Sequence, residues 1–284
     1  MSYALETAIR ICVDPTNPGQ YFACCGLLEL ADRLWGGAEG WFEGDWFNIR
    51  SGEGSSLPEL LRRFKTSPLI DQADGVIAEN ADDDDAADDD SKVQPLELVL
   101  PGSSHPLRLD WWADKSLKPW AGSMNVRVIY RAMTNAIDTS CADPFNDARV
   151  VFDPISDAKG TTRVKKDKKR EPFYFDARRG ASARSLDIGF TPDALKMTTG
   201  AFPAVESLCL VGLQRFRPSP TATRRVFDYH TWAVPLEACV APCAVCGLMT
   251  GLEGRGFRFE NAFRTDQRKH KAFLPATPFA RSEQ

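Results

Sequence analysis

The stretch Asn17-Pro18-Gly19-Gln20-Tyr21-Phe22-Ala23-Cys24-Cys25-Gly26-Leu27-Leu28-Glu29-Leu30-Ala31-Asp32-Arg33-Leu34-Trp35-Gly36-Gly37 decides the fold. Asn17 is a good N-cap, Pro18 suits the first helical position, and Gln20 stands three residues after the cap as in a capping box. Tyr21, Cys24, Cys25, Leu28, Ala31 and Trp35 mark one face, and Leu27, Leu30 and Leu34 cover a second. Glu29, Asp32 and Arg33 leave only a thin polar stripe, so the predicted helix 18–35 is buried on most sides. Gly36-Gly37 ends it.

Ile9 to Val13 reads as a strand before this helix, and Trp41-Phe42 and Trp46-Phe47-Asn48-Ile49 read as a hairpin turning at Glu43-Gly44-Asp45 after it. The opening is therefore β-α-β-β, half of a ferredoxin-like unit. Further along, the pattern predicts a short helix over 57–64, a hairpin from 96–100 and 107–111, and a helix over 121–137. Short strands follow at 149–152 and 173–175, then an apolar helix over 203–216 and a strand over 226–234. The expected whole is one α+β domain spanning 1–284: an antiparallel sheet, packed helices and inserted loops.

The net charge is −4 from 35 basic and 39 acidic residues, and that near-neutral sum hides a split. Residues 1–158 sum to −14 and residues 159–284 to +10. Ten acids and no base lie between 71 and 90, so 71–92 is expected to be an acidic, disordered insertion. An EF-hand loop needs Gly and Glu at set positions that the consecutive Asp82 to Asp85 do not supply. Residues 157–171 form a basic inserted loop, and 256–284 a basic, partly loose tail.

At 43% hydrophobic residues the chain carries enough apolar surface for a core, yet no apolar run nears the roughly 18 residues a membrane span needs. The first residues lack the marks of a signal peptide, and eight cysteines are too few for a disulfide scaffold. The expectation is a cytoplasmic protein with no membrane partner.

Three kinds of chemistry come into question. Cys239, Cys243 and Cys246 have the C-x3-C-x2-C spacing of an iron–sulfur ligand set. The βα repeats of a barrel are missing and no fourth zinc ligand is near, so buried thiols are the plainer reading and a metal enzyme the alternative. Histidine is scarce (His105, His230 and His270), and no G-x-S-x-G, phosphate-loop or H-E-x-x-H motif occurs. The reading is a non-enzyme with no cofactor. Between Lys159 and Arg184, ten bases against three acids give +7 within 26 residues. Arg163, Lys165, Lys166, Lys168, Lys169 and Arg170 are candidate phosphate contacts; Arg178, Arg179 and Arg184 are candidates for fixing register. Phe173 and Phe175, between the basic clusters, are candidates for stacking on a base. Arg215, Arg217, Arg224 and Arg225 form a second basic set around a Pro-Ser-Pro-Thr loop.

Three strings also carry a resemblance. The segment from Val13 to Trp35, the run Pro172-Phe-Tyr-Phe-Asp-Ala-Arg-Arg-Gly with Leu186-Asp-Ile-Gly-Phe, and Val211-Gly-Leu-Gln-Arg-Phe-Arg-Pro resemble a CRISPR-associated small-subunit family of type I-U (I-G) loci. They cover about half of the chain and are family-specific strings rather than chemical signatures. The resemblance implies a Cascade-type effector subunit with an RRM- or RAMP-like, ferredoxin-like core. It implies guide RNA (crRNA), target DNA and other Cascade subunits as partners, and supplies no catalytic residues. A purely protein-binding scaffold, its apolar helices 18–35 and 203–216 facing partner subunits, is the remaining alternative.

Overall fold

A computed structural model describes residues 7–71, 95–103, 105–121, 124–152, 169–182, 200–264 and 270–280. In chain order the elements are β1 (Ile9–Cys12), α1 (Pro18–Trp35), β2 (Ala38–Glu43), β3 (Trp46–Ser51), α2 (Leu57–Thr66), β4 (Leu69–Asp71), β5 (Leu96–Leu98), β6 (Leu107–Leu109) and α3 (Val126–Ala136). Then follow α4 (Ala177–Ser182), α5 (Pro203–Arg215), β7 (Ser219–Pro220), β8 (Val226–His230), β9 (Leu236–Glu237), α6 (Ala241–Val245), β10 (Gly256–Phe263), β11 (Lys271–Phe273) and β12 (Thr277–Phe279).

The class is α+β with antiparallel sheets. Strand β3 lies between β1 and β2, antiparallel to both, so the helix α1 crosses between two parallel, non-adjacent strands. The β-α-β-β order expected of the opening is present. The fourth strand of this sheet, β9, sits beside β2, leaving β1 at the sheet's end. A second sheet has the order β11-β10-β8-β7, with β12 also on β10, and a third has the order β4-β5-β6.

Helix α1 forms as its ends dictate. The Asn17 side chain accepts from the Gly19 and Gln20 amides, and Gly36 closes the helix at φ 70, in the left-handed region that glycine adopts without a Cβ clash. Gln20 reaches back past the cap to accept from the Asp14 amide at 2.8 Å. Every residue from Pro18 to Ala31 is buried. Much of that burial is against α5, which is itself buried from Pro203 to Leu213 and packs directly on α1. The contact is a close backbone approach: a Cβ on Gly26 would lie 2.1 Å from the Leu208 carbonyl oxygen, and one on Gly212 would lie 2.0 Å from that of Phe22. The two helices that a scaffold would turn outward therefore face each other. Buried side chains from Ile9 to Ala276 form one contiguous core.

Several expectations are corrected. Helix α3 begins only at Val126, because Asn125 caps it by accepting from the Arg127 and Val128 amides. Residues 173–175 make no strand, since Tyr174 has φ 69 and breaks the extended backbone. Segment 149–152 contributes only isolated bridges, Arg149 to Ala201 and Phe152 to Lys169. The largest correction is the tail. Residues 256–263, 271–273 and 277–279 are strands, and Phe257, Phe259 and Phe273 are core side chains. The basic residues of this segment hid an alternation in which Phe257 and Phe259 point inward. The acidic segment 72–92 and residues 157–168 of the basic loop lie outside the described residues. Among those described, no helix is long and apolar enough to cross a membrane.

Candidate nucleic-acid interface

Charge collects in two places, with opposite outcomes. The first is internal. Asn17 Oδ1, while capping α1, also accepts from the Ala177 amide at 2.9 Å, and its Nδ2 donates to Asp176 at 2.9 Å. Asp176 is fully buried and receives Arg178 through Nε at 2.9 Å and Nη2 at 2.7 Å. The same guanidinium donates to the Phe145 carbonyl and to Asn146, each at 2.6 Å, and lies 3.4 Å from the centre of the Phe202 ring. Beside it, buried Glu206 accepts from the Phe175 and Asp176 amides at 3.3 and 3.2 Å. Burial, with the neighbouring Asp176, pushes the Glu206 carboxyl up to about 7 despite those two amides. Arg178 thus ties the start of α4 to the N-terminal ends of α1 and α5.

Other predicted contacts are also internal. Phe173 and Phe175 are 0% exposed. Phe173 lies 4.9 Å from the Trp120 ring, and Phe175 lies 5.9 Å from Trp111 and 5.3 Å from Phe273. Their expected role as stacking platforms is corrected: both are core. Arg215 pairs with buried Glu29 at 3.0 Å. Arg163, Lys165, Lys166, Lys168 and Arg184 lie outside the described residues.

The second collection runs along the hairpin β10–β11 and is mostly cationic. Lys169, where the basic loop re-enters the described structure, pairs with Glu171 at 3.1 Å. Glu171 accepts from the Tyr174 hydroxyl, and Arg179 approaches Glu171 at 3.6 Å. Two guanidiniums lie over the Tyr174 ring, Arg264 at 3.4 Å and Arg179 at 5.2 Å. Tyr174 has a positive φ, a strained conformation, and its ring meets both cations. Desolvation raises its hydroxyl to about 12.

From Arg264 the basic series continues to Lys271. Strand pairing sets Phe263 opposite Lys271, and the Arg225 guanidinium lies over Phe263 at 4.6 Å. The Arg225 carbonyl accepts from the Asn261 amide at 2.9 Å, and the Asn261 side chain donates to Ser116 and Leu117 carbonyls at 3.1 and 2.9 Å. Lys271 donates through Nζ to the Lys115 carbonyl at 3.0 Å and through its amide to Pro119 at 2.8 Å. Loop 114–119, the Arg224-Arg225 turn and the hairpin therefore meet here. Burial holds the Lys271 ammonium down to about 8, and the cations Arg225, Lys118 and Arg224 push the same way. Asp114 opposes them and does not offset them. The Nε atoms of Arg225 and Arg264 are buried with no hydrogen-bond partner among the described residues.

Of the predicted contacts, the structure gathers Lys169, Arg179, Arg224 and Arg225 on this ridge. Arg170 is half-buried near its lower end, its amide donating to Val151 at 2.9 Å. Half-buried Arg217 stands near Asp110, and its carbonyl accepts the Cys246 thiol at 3.2 Å. Lys118, Arg264 and Lys271 were missed, the last two because their segment read as a loose tail. Cys239 and Cys243 are exposed, and Cys239 donates to Glu237 at 3.5 Å. Among the described residues, no three His, Cys, Asp or Glu side chains stand where they would hold a metal ion. No family model, no curated protein and no solved structure matches the chain.

Proposed function

We propose that the chain is a non-catalytic subunit of a type I CRISPR surveillance complex of the I-U (I-G) kind that contacts guide RNA, target DNA or both. Its other partners are the remaining Cascade-type subunits, and it works in the cytoplasm. The observation that carries the reading is the cationic series that runs from Arg264 to Arg225 and Lys271, beyond the Glu171 ion pairs of Lys169 and Arg179, in which cations adjoin cations among the described residues. A row of Lys and Arg neutralises strand phosphates and releases their counterions, which favours binding without any base contact. The row also continues in sequence into Arg163 to Lys168.

The β-α-β-β opening, with β3 between β1 and β2, supports a ferredoxin-like, RRM- or RAMP-type core. The position of β9 beside β2 departs from that pattern. The three family-specific strings support the assignment to a CRISPR effector. Co-expression with the neighbouring effector proteins and a guide RNA tests the whole reading. The chain is expected to co-purify with both; a chain that elutes alone, free of RNA, contradicts it.

A further inference from the structure

We propose that Lys118, Arg224, Arg225 and Lys271 form a seat for a single phosphate group of a nucleic-acid strand. Three segments distant in sequence build it. The hydrogen bonds from Lys271 to the Lys115 and Pro119 carbonyls hold loop 114–119 against β11. Asn261 fastens the same loop to β10 through Ser116 and Leu117, and its amide fixes the Arg224-Arg225 turn. Arg225 has φ 64, a strained conformation for a side chain of its size, and this backbone sets its guanidinium over Phe263.

Among the described residues, the charges acting on Lys271 are the cations Arg225, Lys118 and Arg224 and the acid Asp114, and a seated anion offsets the like charge around it. Arg224 is exposed and Arg225 half-buried, so guanidinium donors of this turn stand at the surface. Phosphate oxygens supply the negative charge that these donors take in charge-assisted hydrogen bonds. The groups acting on Lys271 are Lys118 and Asp114 from the loop and Arg224 and Arg225 from the turn; His270 and Arg264 adjoin it on the hairpin, joined by the bond from the Arg264 amide to the His270 carbonyl at 2.9 Å.

Proton uptake accompanies such binding. With its ammonium held down to about 8, Lys271 is partly deprotonated in mildly alkaline solution, and a phosphate beside it restores the charge. Filling the seat at pH 8 therefore draws protons from solvent. The choice of ligand rests on the nucleic-acid reading above; the seat itself rests on its geometry.

Calorimetry on the full chain at pH 8, in buffers of differing ionisation enthalpy, tests it with two probes, inorganic pyrophosphate and a short single-stranded RNA. Both are expected to bind with proton uptake. Lys271→Gln is expected to weaken pyrophosphate about tenfold, and Lys271→Arg to retain binding with no uptake, because arginine does not titrate. Arg224→Gln, at an exposed position, gives an independent loss should the Lys271 variants unfold. Binding of both probes without proton uptake, or uptake that persists in Lys271→Arg, overturns the seat. Pyrophosphate binding with uptake but no RNA binding keeps the seat and removes the nucleic-acid reading. RNA binding with no pyrophosphate binding does the reverse.

Discussion

Arg178 and Arg225 are both arginines of basic runs, and they end in opposite surroundings. Arg178 meets a buried carboxylate, a carbonyl, an amide side chain and a ring, so its charge has an acid of its own. Arg225 meets a ring and other cations, and its Nε finds no acceptor among the described residues. The two regions separate two uses of basic residues. Where each cation has its own acid, the charge holds the fold; where cations adjoin cations, the charge is left for an anion.

Substitutions break this contrast in opposite directions. Arg178→Ala leaves buried Asp176 without its counter-charge while Asn17 still donates to it, and losing a partner of a buried acceptor costs about 1–3 kcal/mol. Urea denaturation should register that loss, and a change below about 1 kcal/mol would place Arg178 outside the support of the fold.

The pH dependence of stability sharpens the same contrast. Glu206 is raised from 4.5 to about 7, so the folded state holds its proton more readily than the unfolded chain. Its contribution is complete below about 4.5 and falls as pH rises through about 7. Lys271 is lowered from 10.5 to about 8, so the folded state holds its proton less readily. Its contribution is complete above 10.5 and falls as pH drops through about 8. Glu206→Gln should flatten the acid side of the stability profile and Lys271→Gln the alkaline side. Thermal melts across that range check both, and unchanged slopes would contradict the assignments.

The smallest effect is expected on the ridge surface. Arg224→Gln removes a cation that faces other cations, so stability should stay within about 0.5 kcal/mol, or rise, while pyrophosphate affinity falls. A destabilisation as large as that of Arg178→Ala would erase the distinction between the two regions.

Local signals made α1 readable: the Asn17 cap, Pro18, and the Gly36 stop act within a few residues of the helix they bound. The β-hairpin after it was readable for the same reason. The fate of each charge was not, because it depends on partners far away in the chain. Asp176 meets Asn17 across 159 residues, and Lys271 meets Lys115 across 156. Density of basic residues alone therefore placed Arg178 with the residues that fix register on a nucleic acid and left Lys271 out. Phe173 and Phe175 were misread similarly, since flanking charges suggested an exposed aromatic run where both rings enter the core. Strand β10 was hidden by Arg258, whose charge is matched by Asp228 at 2.7 Å on the neighbouring strand.

The central claim, that the ridge is an anion track, is tested most directly by the salt dependence of single-stranded RNA binding. The measurement compares the natural chain with one carrying Arg224→Gln, Arg225→Gln and Lys271→Gln together. With three cations removed from the track, fewer counterions leave the RNA on binding. The plot of log affinity against log salt should then be shallower by about 2, with weaker binding at low salt. Equal affinity and equal slope in the two proteins would contradict the account.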